Sequence, residues 1–319
     1  YTPEKYVLNN VFVSKIGVYQ GQVYRALLEK MQSEDPTFQT RQAFNFEDLT
    51  TPLSVLNVCY PSDTFVANEE GKYEGSLDNT HGKNGLHSVM DHKVVNHPKL
   101  QWTEFTYKPD VLSKYGKIFS QEHIATYSSK ISTVCRAIQN STGIVLIYSR
   151  YLEGGLLPMA LALEEMGMTR YSSSSHILPF LKETGAPLNP LTMSPKEKTD
   201  KYTAKYAMIT GTKLFSHNNA EDLELITDLD NKDGRHVKVV MISEAGSEGL
   251  DFKCIRQVHI LDPWYNMSRL EQTIGRAVRN KSHCSLDLEE RNVEIYMHGT
   301  ILENDTEAAD MYMYRLAEH

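Results

Sequence analysis

The chain has 319 residues, 33 Lys+Arg against 41 Asp+Glu and a formal charge of -8, with 40% hydrophobic and 23% charged residues. That composition is ordinary for a folded chain of one large or two medium domains, and its acidity excludes a polycation built for nucleic acid. No run approaches 18 consecutive apolar residues, so no span of a membrane is expected, and four scattered cysteines (Cys59, Cys135, Cys254, Cys284) argue against a disulfide scaffold and read as small buried hydrophobes. Tyr1 stands where a methionine would, with no apolar leader behind it, and the expectation is a piece of a longer protein.

The first third is irregular. Apolar Val23, Leu27, Leu28 and Met31 predict an amphipathic helix over 19–32. Ser33 to Thr51 reads as polar loop, and the apolar run LSVLNVCY, Leu53 to Tyr60, as a short strand stopped by Pro61. Ser62 to Pro98 lacks periodicity and reads as a long surface loop. His81, His87, His92 and His97 recur within it, but no Cys or acidic partner has structural-zinc spacing, and no metal site is expected.

From about residue 128 helical and short apolar segments alternate, which predicts βα units on a parallel sheet. Helices are expected over 130–140, 156–166, 220–226, 268–278 and 306 to the end, and strands over 144–148, 206–209, 237–242, 258–261 and 293–297. The strands are continuous Val/Ile/Leu runs, as in sheets buried on both faces. Tyr171 to Tyr202 interrupts the rhythm with four serines at 172–175, four prolines and Lys196, Lys198 and Lys201, and reads as an insertion loop.

Chemistry concentrates in 237–279. A buried strand ends at Ser243 and delivers a loop with Gly246, Gly249 and Asp251. Glycines at such strand ends let backbone N–H groups approach phosphate, and Asp251 can accept from a ribose hydroxyl or an arginine. Further on, Gln272, Gly275, Arg276 and Arg279 fall at helical spacing on one face, an arrangement that invites an anion. Trp264 and Tyr265 read as strand-end core rather than a stacking platform.

These residues carry a resemblance. Ser243 to Asp251 and QTIGRAVR, Gln272 to Arg279, resemble motifs V and VI of superfamily 2 helicases and related nucleic-acid-dependent NTPases, and Ile144 to Gly167 resembles motif IV. YSSKI (127–131), YAMITG (206–211), LDPWYNMSRLEQTIGRAVRNKSH (261–283) and ERNVEIY (290–296) are similar to the branch of large cytoplasmic DNA viruses, of the poxvirus nucleoside triphosphate phosphohydrolase I and early transcription factor small subunit type. The likeness extends over about residues 126–300. It implies an α/β fold, a RecA-like parallel sheet with helices on both faces. Residues 1–125 would be a lead-in packing on a second lobe at 126–319, with 171–202 inserted.

The resemblance further implies an ATP-dependent helicase or translocase. Arg279, Arg276 and Gln272 would be catalytic, Gly249, Asp251 and Gly275 would face the nucleotide, and Ser149, Arg150, Thr210, Gly211 and Ser243 would lie on a DNA or RNA strand. One departure is informative. Each Gly-Lys pair (Gly71-Lys72, Gly82-Lys83, Gly116-Lys117) is followed by Tyr, Asn or Ile, and no Asp-Glu dipeptide occurs. The P-loop and the carboxylates for magnesium are missing. ATP and Mg2+ would be held mainly by a first lobe in cis, and this chain alone is expected to be inactive. Viral transcription machinery is a further expected partner and the cytoplasm or virion the expected place. The alternative is a binding or docking module of a viral transcription assembly, its ATPase secondary or lost.

Overall fold

In the computed structural model, residues 11–35, 46–97, 100–173, 178–246 and 249–317 are described. In chain order the elements are β1 (Phe12–Lys15), α1 (Val18–Glu34), α2 (Phe46–Asn57), β2 (Phe65–Ala67), β3 (Tyr73–Gly75), α3 (Gly82–Val89), β4 (Met90–His97), β5 (Leu100–Tyr107), α4 (Pro109–Tyr115), α5 (Ile124–Tyr127) and α6 (Ser129–Gln139). There follow β6 (Ile144–Tyr148), α7 (Leu157–Met166), β7 (Thr169–Arg170), β8 (Lys205–Ile209), α8 (Asn219–Thr227), β9 (Val239–Ile242), β10 (Ile255–Ile260), α9 (Met267–Ala277), β11 (Glu294–Ile301) and α10 (Ala309–Ala317).

Seven strands form one sheet in the order β1-β11-β10-β6-β9-β8-β7, and every neighbouring pair is parallel. Alternation along the strands feeds two cores. Val145, Ile147, Val239 and Met241 pack with α1, α2, α6 and α7 on one face. Ile144, Leu146, Val240 and Ile242 pack with residues of α8 and α9 on the other. The expected parallel sheet with helices on both faces is thus present. Among the described residues no helix is long and apolar enough to cross a membrane.

The predicted elements after residue 128 are present, most with ends shifted by a residue or two. The first third differs. Leu53 to Tyr60 is no strand; its first half belongs to α2, in which Leu49, Leu53 and Leu56 are all buried. Their spacing lays them on one helical face, and that burial outweighs Pro52, which sits inside the helix. Ser62 to Pro98 is not a bare loop either. It contains the β2–β3 hairpin, α3 and β4, which pairs with β5 residue for residue from Met90 opposite Tyr107. Strand β4 is largely exposed, so it shows no alternation to read. Part of the predicted loop at 33–51, and Pro98 itself, lie outside the described residues.

Strand β1 comes from the first third yet hydrogen-bonds β11, Phe12 opposite His298. The segment at 171–202 is also tied inward, since Phe105 N–H donates to Phe180 O and Lys182 N–H to Phe105 O. Three cysteines are buried as expected, but Cys284 is exposed.

Candidate functional site

The loop after β9 is built to a tight shape. Ser243 Oγ accepts from Gly246 N–H at 3.2 Å, and Ser243 N–H donates to Ile209 O at 3.2 Å. A side chain at Gly246 would put its Cβ 2.2 Å from Ile209 O, so the loop can lie on the end of β8 only with glycine there. Gly249 has φ +71, in the left-handed region, with open space where a Cβ would stand.

From Gly249 the chain runs against the last turn of α9. Phe252 N–H donates to Arg276 O at 3.1 Å, and Arg276 Nη1 donates to Leu250 O at 3.5 Å. Arg279 Nη1 lies 3.5 Å from Asp251 Oδ1. Leu250, Asp251 and Phe252, which follow Gly249, are thus brought against Arg276 and Arg279. Gln272, one turn before Arg276, is exposed, and nothing stands within 4 Å of a Cβ built on Gly275.

One expectation needs correction here. Helix α9 ends at Ala277 and Val278 is its cap, so Arg279 lies past the helix and does not share its face by helical spacing. No helix breaker stands there; the chain turns after Val278, where Ser282 N–H closes on Arg279 O. Asp251, read as an acceptor for a ribose hydroxyl or an arginine, does face an arginine, Arg279.

The nucleic-acid candidates separate by burial. Ser149, Thr210 and Ser243 are buried, Arg150 is half-buried and Gly211 is exposed. The hydroxyl of Ser149 donates to Asp262 Oδ1, and that of Thr210 is 2.8 Å from Ser216 Oγ. These buried hydroxyls shape the strand-end loops from inside.

Sequence reasoning missed the group that organises those loops. Asp262, fully buried after β10, accepts from Ser149 Oγ, from Arg150 N–H at 2.9 Å and from Asn57 Nδ2 at 3.0 Å. Burial raises its pKa, and the bonds from Ser149 and Arg150 pull the other way. Asn57 Oδ1 in turn accepts from Lys130 Nζ, which also donates to Leu261 O at 2.8 Å and pairs with Asp310 Oδ2 at 2.8 Å. Asp310 closes the chain by accepting from Thr300 N–H and Thr300 Oγ1. The one sequence signal was a charged residue inside each of two helices with apolar faces.

Trp264 is buried, as expected of strand-end core, whereas Tyr265 beside it is exposed. The Arg150 guanidinium lies 3.9 Å from the Trp264 ring centroid and that of Arg269 5.1 Å from it. Among the described residues no group of three or more His, Cys, Asp or Glu is placed to hold a metal ion. His87 and His92 stack on each other at 4.1 Å. The guanidinium groups of Arg276 and Arg279 instead meet Leu250 O and Asp251 Oδ1 of the preceding loop.

Residues 191–281 match the helicase conserved C-terminal domain. The chain is 32% identical over 183 residues to the termination factor NPH-I homolog of African swine fever virus, covering 54% of this chain and 26% of that protein. It is 24% identical over 229 residues to nucleoside triphosphatase I of Heliothis armigera entomopoxvirus, covering 67% of this chain and 30% of that protein. A solved structure, the C-terminal part of the Fun30 ATPase domain, aligns with TM-score 0.48 and 14% identity over 97% of this chain and 88% of that one. The chain spans under a third of the length of these viral relatives. Residues 191–281 are therefore similar to a helicase C-terminal domain, and these relatives come from large DNA viruses, the branch that the motifs resemble.

Proposed function

We propose that this chain is the second lobe of an ATP-dependent nucleic-acid helicase or translocase, residues 126–319 forming the lobe and residues 1–125 leading into it from the first. The observation that supports this reading is the meeting of Leu250, Asp251 and Phe252, just after Gly249, with Arg276 and Arg279. A guanidinium pair next to a glycine-containing loop is suited to the charge of a nucleotide's phosphates.

When bound, ATP with Mg2+ supplies the phosphoryl bond whose cleavage drives the cycle; both are assigned mainly to the first lobe. Arg279 and Arg276 neutralise phosphate charge from this side, Gln272 and Gly275 complete the helix face, and Gly249 gives the loop its approach. Arg150 and Gly211 lie on the strand of DNA or RNA, while Ser149, Thr210 and Ser243 hold their loops in shape. Closure of the two lobes then shifts the strand-end loops along the nucleic acid. The relatives' names, a termination factor and a nucleoside triphosphatase of viruses, support a viral setting; the cytoplasm or virion as its place, and viral transcription machinery as its partner, belong to the proposal.

The test is Arg279→Ala in the full-length protein. Nucleic-acid-stimulated ATPase is expected to vanish while ATP still binds, and unchanged turnover refutes the reading. The 319-residue chain alone is expected to show no turnover; turnover that survives Arg279→Ala counts against it equally.

A further inference from the structure

Glu244 is the first loop residue after Ser243, and its carboxylate meets two guanidinium groups. Arg269 Nη1, from the first turn of α9, donates to Glu244 Oε1, and Arg150 Nε stands 3.9 Å from Glu244 Oε2. Those same two guanidiniums lie over the ring of Trp264. Two like charges on one ring repel each other, and a shared anion offsets that repulsion. Three segments far apart in sequence, the ends of β6, β9 and β10 with the start of α9, therefore meet around one carboxylate.

A carboxylate and a phosphodiester present the same thing to a guanidinium, two oxygens sharing one negative charge. The side chains of Glu244 and Arg269 are 37% and 50% exposed, so an external anion can reach them. Tyr265, 57% exposed, stacks on Trp264 with centroids 5.1 Å apart, leaving aromatic surface beside the arginines. We infer that Arg150 and Arg269 form a phosphate site for a nucleic-acid strand and that Glu244 is its built-in competitor, occupying the site until a phosphate displaces it. This rests on the reading of the lobe as nucleic-acid-binding and adds Arg269 and Glu244 to it.

The experiment measures binding of a fluorescent single-stranded oligonucleotide, as DNA and as RNA, to the 319-residue chain across a salt series. Removing the competitor in Glu244→Gln is expected to tighten binding about three- to tenfold at low salt, the scale of two exposed ion pairs. Arg269→Gln is expected to weaken binding and to lower the salt slope by about one. The double variant is expected to bind no more tightly than Arg269→Gln. A thermal melt accompanies each variant, and Glu244→Ser replaces the glutamine variant if that one unfolds early. Wild-type binding left unaltered or weakened by both Glu244 variants overturns the site alone. Absence of binding by every variant overturns the site and the reading of the lobe together.

Discussion

Arg279 and Asp251 face each other at 3.5 Å, joining the last arginine of the Q-x-x-G-R-x-x-R run to the last residue of the glycine loop before it. Both side chains are more than half exposed, at 53% and 59%. An exposed pair contributes about 1 kcal/mol or less, so it does not hold the fold together. Arg279→Ala and Asp251→Ala are each expected to shift the melting temperature of the chain by less than about 3 °C. The full-length Arg279→Ala protein is expected to lose on the order of 10³-fold or more in stimulated turnover. A large loss of stability in the same variant would reassign the arginine to structure.

Lys130 and Asp310 form a pair of the opposite kind, with side chains 1% and 0% exposed. Removing one partner leaves a buried charge uncompensated, which costs roughly 3–5 kcal/mol. Lys130→Met is therefore expected to lower the urea midpoint sharply, and Asp310→Ala likewise, since it also strips Thr300 of its acceptor. Lys130→Met combined with Asp310→Leu is expected to recover part of the loss. A urea midpoint in either single variant near wild type would contradict the buried pair.

The parallel sheet was legible because its strands are unbroken apolar runs between helical segments. The glycine loop was legible because its turn constrains residue types locally: Gly246 lies against Ile209 O, and Gly249 takes a left-handed φ. What escaped depends on contacts distant in sequence. Asn57 reaches Asp262 across 205 positions, and nothing near either residue announces the bond. Leu53 to Tyr60 is apolar enough for a strand or a helix, and only packing under the sheet decides. Strand β1 is four residues long and is defined by its neighbour β11. The position of Arg279 beyond α9 follows from where the helix is capped, which periodicity alone does not fix.

Asp262 is predicted to be intolerant of its amide. Its two oxygens accept from Ser149, Arg150 N–H and Asn57, all of them donors, so Asp262→Asn turns one acceptor into a donor facing a donor. The expected loss is about 1–3 kcal/mol in urea unfolding. The exchange Asn57→Asp with Asp262→Asn restores an acid and an amide to the pair and keeps an acceptor for Lys130. It is expected to be more stable than Asp262→Asn alone. A double variant that is the sum of its parts would show that the two side chains do not couple.

Glu164 ties 178–185 to the sheet and gives a pH dependence of definite sign. Its carboxyl accepts from Phe180 N–H at 2.9 Å, Leu181 N–H at 2.6 Å and Tyr206 Oη. Burial pushes its pKa up to about 7, although those three bonds and the nearby Arg170 oppose the rise. Between the unfolded value near 4.5 and the folded value near 7, the folded state keeps a proton that the unfolded chain has released. Stability contributed by this group is therefore full below the lower value and falls as pH rises through that window, levelling off above it. Glu164→Gln cannot ionise. Its absolute stability is expected to be lower, because its amide meets one of three donors, but its stability curve should lack this decline. Urea midpoints of the two proteins from about pH 5 to about pH 8 are expected to converge as pH rises. Curves that stay parallel would mean that Glu164 is ionised throughout and that the three donors, not burial, set its charge.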